Sequence, residues 1–274
     1  MLYKPGQTDH GLPRDPFKAC VVPRPIGWIS TVSPTGQANL APYSQFNNLT
    51  FDPPYVMFAA NQTADAVRKD TVTNVEATGR FCWQLATWEL REQVNITAQQ
   101  VAYGVDEFER AGLTKVMSEV IEGVPMVKES PVRFECEYYS TLRLPGNPPM
   151  GTVDVVIGKV VAVHIDDGVL DEEGRIDVAK TKPIARLGYY QYAVVEKTFE
   201  MIIPGMDEKL LYGLEGSVNR HREDAASRPA VAATSETAVA PSVATNGGAN
   251  SEEHGKESSS AVPGEEAAKP TQSA

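Results

Sequence analysis

Residues 153–165 read Val-Asp-Val-Val-Ile-Gly-Lys-Val-Val-Ala-Val-His-Ile, and this stretch decides the class of fold. It is a long strand, with Gly158 placed where a bulge or bend belongs. The turns Asp166-Asp-Gly168 and Glu173-Gly174 follow it, and residues 192–203 (YAVVEKTFEMII) close the set of strands. Upstream, residues 132–138 (VRFECEY) alternate cleanly, and residues 80–86 (RFCWQLA) and 55–60 (YVMFAA) are short apolar runs of the buried kind. Residues 27–33 (GWISTVS) form a further strand, Ser33-Pro-Thr-Gly36 a turn, and residues 37–44 the return. Helical signals are fewer. Residues 65–78 place Val67, Thr71, Val75 and Thr78 on one face with Gly79 as the stop, and residues 87–100 and 106–111 are the other candidates. Strands dominate and no long alternation of strand and helix occurs, so the pattern predicts a mainly β protein. Its sheet is an antiparallel barrel with inserted helices rather than a doubly wound sheet.

The 274-residue chain does not hold this pattern to its end. After Leu214 there is no Leu, Ile, Met, Phe, Tyr or Trp. Such a stretch cannot bury enough apolar surface to offset the roughly 1–2 kcal/mol per residue lost on ordering the backbone. The expected organisation is therefore one folded domain over residues 1–215 and a disordered low-complexity tail over residues 216–274.

Twenty-five Lys and Arg against 36 Asp and Glu leave a net charge of −11, with no basic footprint for nucleic acid or an anionic membrane. No apolar run reaches the 18 or so residues of a membrane helix, and no apolar segment precedes a cleavage site near the start. Cys20, Cys82 and Cys136 form no CxxC pair and read as reduced thiols of a cytoplasmic protein, Cys82 as a buried small hydrophobe. The four histidines are scattered, so no metal site is expected. There is no GxGxxG, GxxxxGK[ST], HExxH or GxSxG motif, which argues against acyl transfer, phosphoryl transfer and zinc hydrolysis.

What stands out is an N-terminal block: Pro23-Arg-Pro-Ile-Gly-Trp-Ile-Ser-Thr31, then residues 39–48 (NLAPYSQFNN), then residues 69–74 (KDTVTN). It supplies hydroxyls (Ser30, Thr31, Ser44, Thr71), amides (Asn47, Asn48, Asn74), cations (Arg24, Lys69) and flat rings (Trp28, Tyr43). A phosphate wants a cation, hydroxyls and free backbone N–H groups, which Lys69 and Thr71 near a helix start can provide. A flat aromatic cofactor wants apolar walls and a few donors at its polar edge. Each residue also has an ordinary structural reading: Ser30 and Thr31 in a strand, Trp28 in the core, Thr71 and Asn74 as polar residues of a helix start.

PRPIGWIST, NLAPYSQFNNLTFDPP, KDTVTNV and the later segment 183–192 (PIARLGYYQY) together resemble the flavin reductase-like family of FMN-binding split barrels over residues 23–203. The resemblance implies an antiparallel Greek-key split β-barrel that forms a homodimer and binds FMN beside the partner subunit, with NADH or NADPH as hydride donor. A small-molecule acceptor or a partner oxygenase would receive the electrons. By that likeness Trp28, Ser30 and Thr31 belong to the strand and loop lining the flavin. Ala41, Tyr43, Ser44 and Gln45 present backbone groups and the Ser44 hydroxyl to the ring and ribityl chain, and Lys69, Thr71 and Asn74 hold the phosphate end. Tyr189 stands where the family usually has its second glycine, and residues 87–125 are not securely matched. No acid–base triad is needed, and His164 reads as a core or edge histidine ahead of a flavin contact. A non-enzymatic electron carrier and a cofactor-free interaction scaffold of the same fold are the alternatives.

Overall fold

The computed structural model describes residues 1–205. The expected boundary near residue 215 and the tail 216–274 lie outside the described residues.

A short helix α1 (Phe17–Cys20) and a two-residue strand β1 (Arg24–Pro25) lead into β2 (Gly27–Val32), β3 (Ala38–Tyr43), β4 (Phe46–Phe51) and β5 (Pro54–Asn61). Helix α2 (Asp70–Thr78) and strand β6 (Arg80–Gln84) follow, then helices α3 (Arg91–Ile96) and α4 (Glu107–Arg110) and the short strands β7 (Lys115–Met117) and β8 (Pro125–Val127). The long pair β9 (Val132–Leu144) and β10 (Val153–Ile165) comes next, and α5 (Val178–Thr181), β11 (Ile184–Arg186) and β12 (Tyr192–Val194) complete the order.

Seven strands form one antiparallel sheet in the order β3-β2-β6-β9-β10-β5-β4. Its two edge strands, β3 and β4, are neighbours in the chain, with Ser44 and Gln45 alone between them. Three Cα steps reach at most about 11 Å, so the sheet has to curl until its edges meet. The edges do not pair with each other, which leaves the barrel split at the Ser44–Gln45 corner. There the Ala59 N–H donates to the Gln45 carbonyl at 2.8 Å and pins the corner to β5.

Alternate residues explain which faces fill the barrel. Val56, Phe58 and Ala60 of β5 and Val156 and Val160 of β10 point inward, where they meet Ile29, Phe81, Trp83 and the Val72 and Val75 face of α2. Strand β2 is buried along its whole length, because a second apolar layer of Leu40, Leu90, Val94, Phe108 and Ile184 covers its other side around Trp28. Gln84 is fully buried among these strands. Its amide donates to the Trp28 carbonyl at 2.8 Å and its Oε1 accepts from the Val127 N–H at 3.2 Å and from the Ser30 hydroxyl.

The expected strand over 153–165 forms over its full length, with a register shift at Ile157/Gly158. Helix α2 stops at Gly79, whose φ of 73° suits a residue without a side chain, and the Gly79 N–H donates to the Val75 carbonyl. It starts five residues later than the sequence pattern predicts. The Thr63 hydroxyl accepts from the Val67 N–H and Ala66 adopts φ 59°, so residues 63–67 make a turn instead. Residues 87–100 carry a helix only over Arg91–Ile96. The expected strand over 192–203 ends at Val194, because its one partner, β11, is three residues long. Strand β4 is the edge strand that the pattern does not reveal. Cys82 and Cys136 are buried and Cys20 is exposed. Among the described residues no helix is long and apolar enough to cross a membrane.

Candidate functional site

Two neighbouring hollows open beside the split. The first, of about 390 Å³, is walled by Ala41 and Tyr43 of β3, by Lys69 and Thr71 at the start of α2, and by residues 97–101 with Glu107. The second, of about 530 Å³, takes in Ser44 at the corner and meets the first at Pro42 and Ala98, which line both.

The start of α2 has the chemistry of an anion site. Lys69 occupies the position ahead of the helix and no side chain caps the first turn. Val72 and Thr73 donate their N–H groups to the Lys69 carbonyl at 3.0 and 3.1 Å, which leaves the N–H groups of Asp70 and Thr71 without an acceptor among the described residues. An uncapped helix start carries partial positive charge. Lys69 makes no ion pair among the described residues, and its partial burial lowers its pKa, an effect that Asp70 partly opposes. Burial raises the pKa of Asp70 against the pull of Lys69, and it also raises that of Glu107 even though the Leu40 N–H donates to Glu107 Oε2 at 2.9 Å.

A polar lattice holds this helix start against the sheet. The Asn39 amide donates to Thr31 Oγ1 at 3.2 Å and to Thr71 Oγ1 at 2.9 Å, and the Asn74 amide donates to Thr31 Oγ1 at 3.1 Å. One buried network therefore joins β2, β3 and α2, and Asn74 Oδ1 is the atom in it left without a partner. A further ionic cluster fixes the preceding loop. Arg68 pairs with Glu76 at 2.7 Å and with Asp154 at 3.0 Å, and Arg143 pairs with Asp154 at 2.7 Å.

These contacts place each residue named from the sequence. Ala41, Tyr43, Lys69 and Thr71 line the first cavity and Ser44 the second. Gln45 is exposed at the corner between β3 and β4. The side chains of Trp28, Ser30, Thr31 and Asn74 line neither of these two cavities. Trp28 donates its indole N–H to Thr97 Oγ1 at 3.0 Å, Ser30 bonds to Gln84, and Thr31 and Asn74 belong to the lattice behind α2. They support the cavity walls from inside. Sequence reasoning did not single out Thr97, Gln99 or Glu107, which the segment over residues 87–125 brings to the first cavity, nor Arg14, Lys18 and Arg186 around the second. His164 lies elsewhere. Its Nε2 bonds at 2.7 Å to the buried Glu135, whose carboxylate also accepts the N–H groups of Glu119, Val120 and Ile121. Burial raises the Glu135 pKa, but those N–H groups and His164 outweigh it and the net direction is down. The residue ties a loop to the sheet. Among the described residues no three His, Cys, Asp or Glu side chains gather in a metal-binding arrangement.

The model of the flavin reductase like domain matches residues 19–196, which contain the split barrel and the whole first cavity. The chain belongs to that family. An uncharacterized protein of Aquifex aeolicus (strain VF5) is 38% identical to it over 178 residues, covering 64% of this chain and 87% of the relative. Nitrilotriacetate monooxygenase component B from Bacillus cereus superposes with a TM-score of 0.67 at 31% identity, covering 73% of this chain and 98% of its own. A split-barrel protein from Shewanella frigidimarina shares the fold at 23% identity and a TM-score of 0.59, over 68% and 89% of the two chains. The flavin reductase like domain thus carries the whole first cavity and most of the second, while Arg14, Asp15 and Lys18 of the second precede the residues that the family model matches.

Proposed function

We propose that this chain is an FMN-dependent oxidoreductase of the flavin reductase type, drawing hydride from NADH or NADPH for free flavin, a partner oxygenase or another small acceptor. The observation that carries the reading is the first cavity, where an unpaired lysine and an uncapped helix start lie at the end of a wall formed by β3. The residues fit the group. Lys69 and the N–H groups of Asp70 and Thr71 meet the needs of a phosphate. Ala41, Pro42 and Tyr43 form a wall of the kind a flat ring packs on, and the Ser44 hydroxyl stands further along it at the corner. The FMN would supply hydride acceptance at its ring, and the protein's task is to position and shield that ring. The reading draws further support from the similarity to a structure described as the B component of a monooxygenase.

A homodimer belongs to the same proposal. On the side of the sheet away from the core, Tyr55, Met57 and Ala59 of β5 and Val155 and Ile157 of β10 remain half exposed, and Leu142 of β9 is exposed. An apolar face of this extent fits a second copy of the chain. A cytoplasmic location is the expectation that goes with reduced thiols.

Purified protein is expected to take up FMN and turn yellow, and anaerobic NADH or NADPH should bleach that colour. Uptake without bleaching would favour the electron carrier, and failure to take up FMN would favour the scaffold. Sedimentation should give twice the chain mass.

A further inference from the structure

The second cavity collects more positive than negative charge, four cations against the single carboxylate of Asp15. Arg14, Lys18, Arg24 and Arg186 line it, and none of the four forms an ion pair among the described residues. The one carboxylate in its wall, Asp15, accepts the Phe17 N–H at 2.8 Å. Arg24 donates to the carbonyls of Lys18, Val21 and Leu187, yet its Nε is buried without an acceptor. Burial chiefly, and the like charge of the adjacent Arg186 after it, lower the Arg24 pKa. A chain of net charge −11 has acidic residues to spare, so four cations without an ion-pair partner among the described residues, against one carboxylate in the wall, call for an anionic occupant.

Aromatic rings share the same wall. The Arg14 guanidinium carbon lies 5.8 and 5.5 Å from the ring centres of Tyr189 and Tyr190, and that of Arg186 lies 4.6 Å from the ring centre of Tyr192. The two pieces of chain are locked together. A Cβ on Gly188 would stand 2.4 Å from the Ala19 Cβ, so α1 rests directly on the segment that carries the tyrosines. Cations interleaved with flat rings recognise a ligand that is both planar and multiply charged. The volume of about 530 Å³ suits half of a dinucleotide, and the contact with the first cavity at Pro42 and Ala98 would leave the other half beside the flavin.

We propose that this cavity binds the phosphorylated adenosine end of NADPH and thereby selects NADPH over NADH, with Arg14 and Lys18 on the 2′-phosphate and the tyrosine rings on the adenine. The assignment rests on the reading of the first cavity as a flavin site served by a nicotinamide donor. Arg14 and Lys18 lie ahead of the residues that the family model matches, so membership of the family does not account for them.

Calorimetric titration of the full-length protein with adenosine 2′,5′-bisphosphate and with adenosine 5′-monophosphate tests this without any turnover. The bisphosphate should bind at least about tenfold more tightly, and most of that gap should vanish in the Arg14→Gln, Lys18→Gln double variant. Circular dichroism and the melting temperature of that variant should match the parent, since both side chains are exposed. Equal affinity for the two nucleotides, or a gap that survives the double substitution, overturns the proposal. So does inorganic phosphate binding as tightly as the bisphosphate, which would mark a plain anion site. FMN uptake, followed separately by absorbance, distinguishes the two readings. Bisphosphate binding by a protein that takes up no FMN refutes the flavin site and leaves this one standing.

Discussion

Two groups of charged side chains in this molecule contain similar residues and behave in opposite ways. Around Asp154, the cations Arg68 and Arg143 are met by Asp154 and Glu76, and every member has a partner of opposite sign within 4 Å. Around the second cavity, Arg14, Lys18, Arg24 and Arg186 have no such partner among the described residues. A charge that serves the fold is neutralised where it stands, since burying it alone is costly. Around the second cavity Arg24 and Arg186 donate to backbone carbonyls but meet no carboxylate, an openness that the proposed ligand would use. The contrast separates stability from recognition in a way that a count of charged residues does not.

The strongest way to break this contrast is to remove the centre of the balanced group. Asp154→Ala strips both arginines of a buried partner, and we expect a loss of about 3 kcal/mol in urea unfolding. A loss below about 1 kcal/mol would show that the arginines simply return to water. The same group governs the acid limb of stability. Burial alone would raise the Asp154 pKa, but its bonds to Arg143 and Arg68 prevail and hold it below the ordinary 3.8. A carboxyl depressed in the folded state stabilises fully above its unfolded pKa, and that contribution is lost as the pH falls below it toward the folded value. Unfolding of the parent should therefore steepen in acid, and Asp154→Asn should flatten that limb.

Next in size is Lys69→Gln, which removes an unpaired cation from the helix start. FMN affinity measured by fluorescence quenching should fall about tenfold with no change in melting temperature. An unchanged affinity would move the phosphate elsewhere. Tyr189 sharpens the picture on the ligand side, because it adopts φ 57°, a left-handed conformation that favours glycine. Tyr189→Gly should raise stability by about 0.5 kcal/mol, the relieved left-handed strain exceeding the lost ring contacts. A fall in stability would show that the ring packing dominates. The smallest effect is expected for Arg14→Gln with Lys18→Gln, where unfolding should shift by less than about 0.5 kcal/mol. A larger shift would place these cations in the structural group after all.

The parts of the fold that could be read from sequence are those with a local signal. Residues 153–165 declare a strand because valine and isoleucine recur along the whole segment, and α2 ends where Gly79 can turn left-handed. Strand β4 (Phe46–Phe51) escaped because it lies at the edge, largely exposed, with Asn47, Asn48 and Thr50 in place of an alternating apolar face. The expected helix over 65–78 failed at its beginning, where the bond from the Val67 N–H to the Thr63 hydroxyl competes with the helix. In the candidate site, Lys69, Thr71, Ala41 and Tyr43 were legible because motif and cavity coincide. Glu107 was not, since nothing near it in sequence reveals that its carboxylate reaches the Leu40 N–H, 67 residues away. Arg14 and Lys18 were hidden for a different reason. They stand in a polar N-terminal stretch, and it is the approach of Gly188 to Ala19 that brings them to the cavity.

The shared wall at Pro42 and Ala98 has a thermodynamic consequence. If the proposed occupants of the two hollows both press on Pro42 and Ala98 and are coupled through them, each must alter the dissociation constant of the other by one common factor. If a flavin in the first hollow tightens the nucleotide's hold on the second, the nucleotide must tighten the flavin equally, and release of either loosens both.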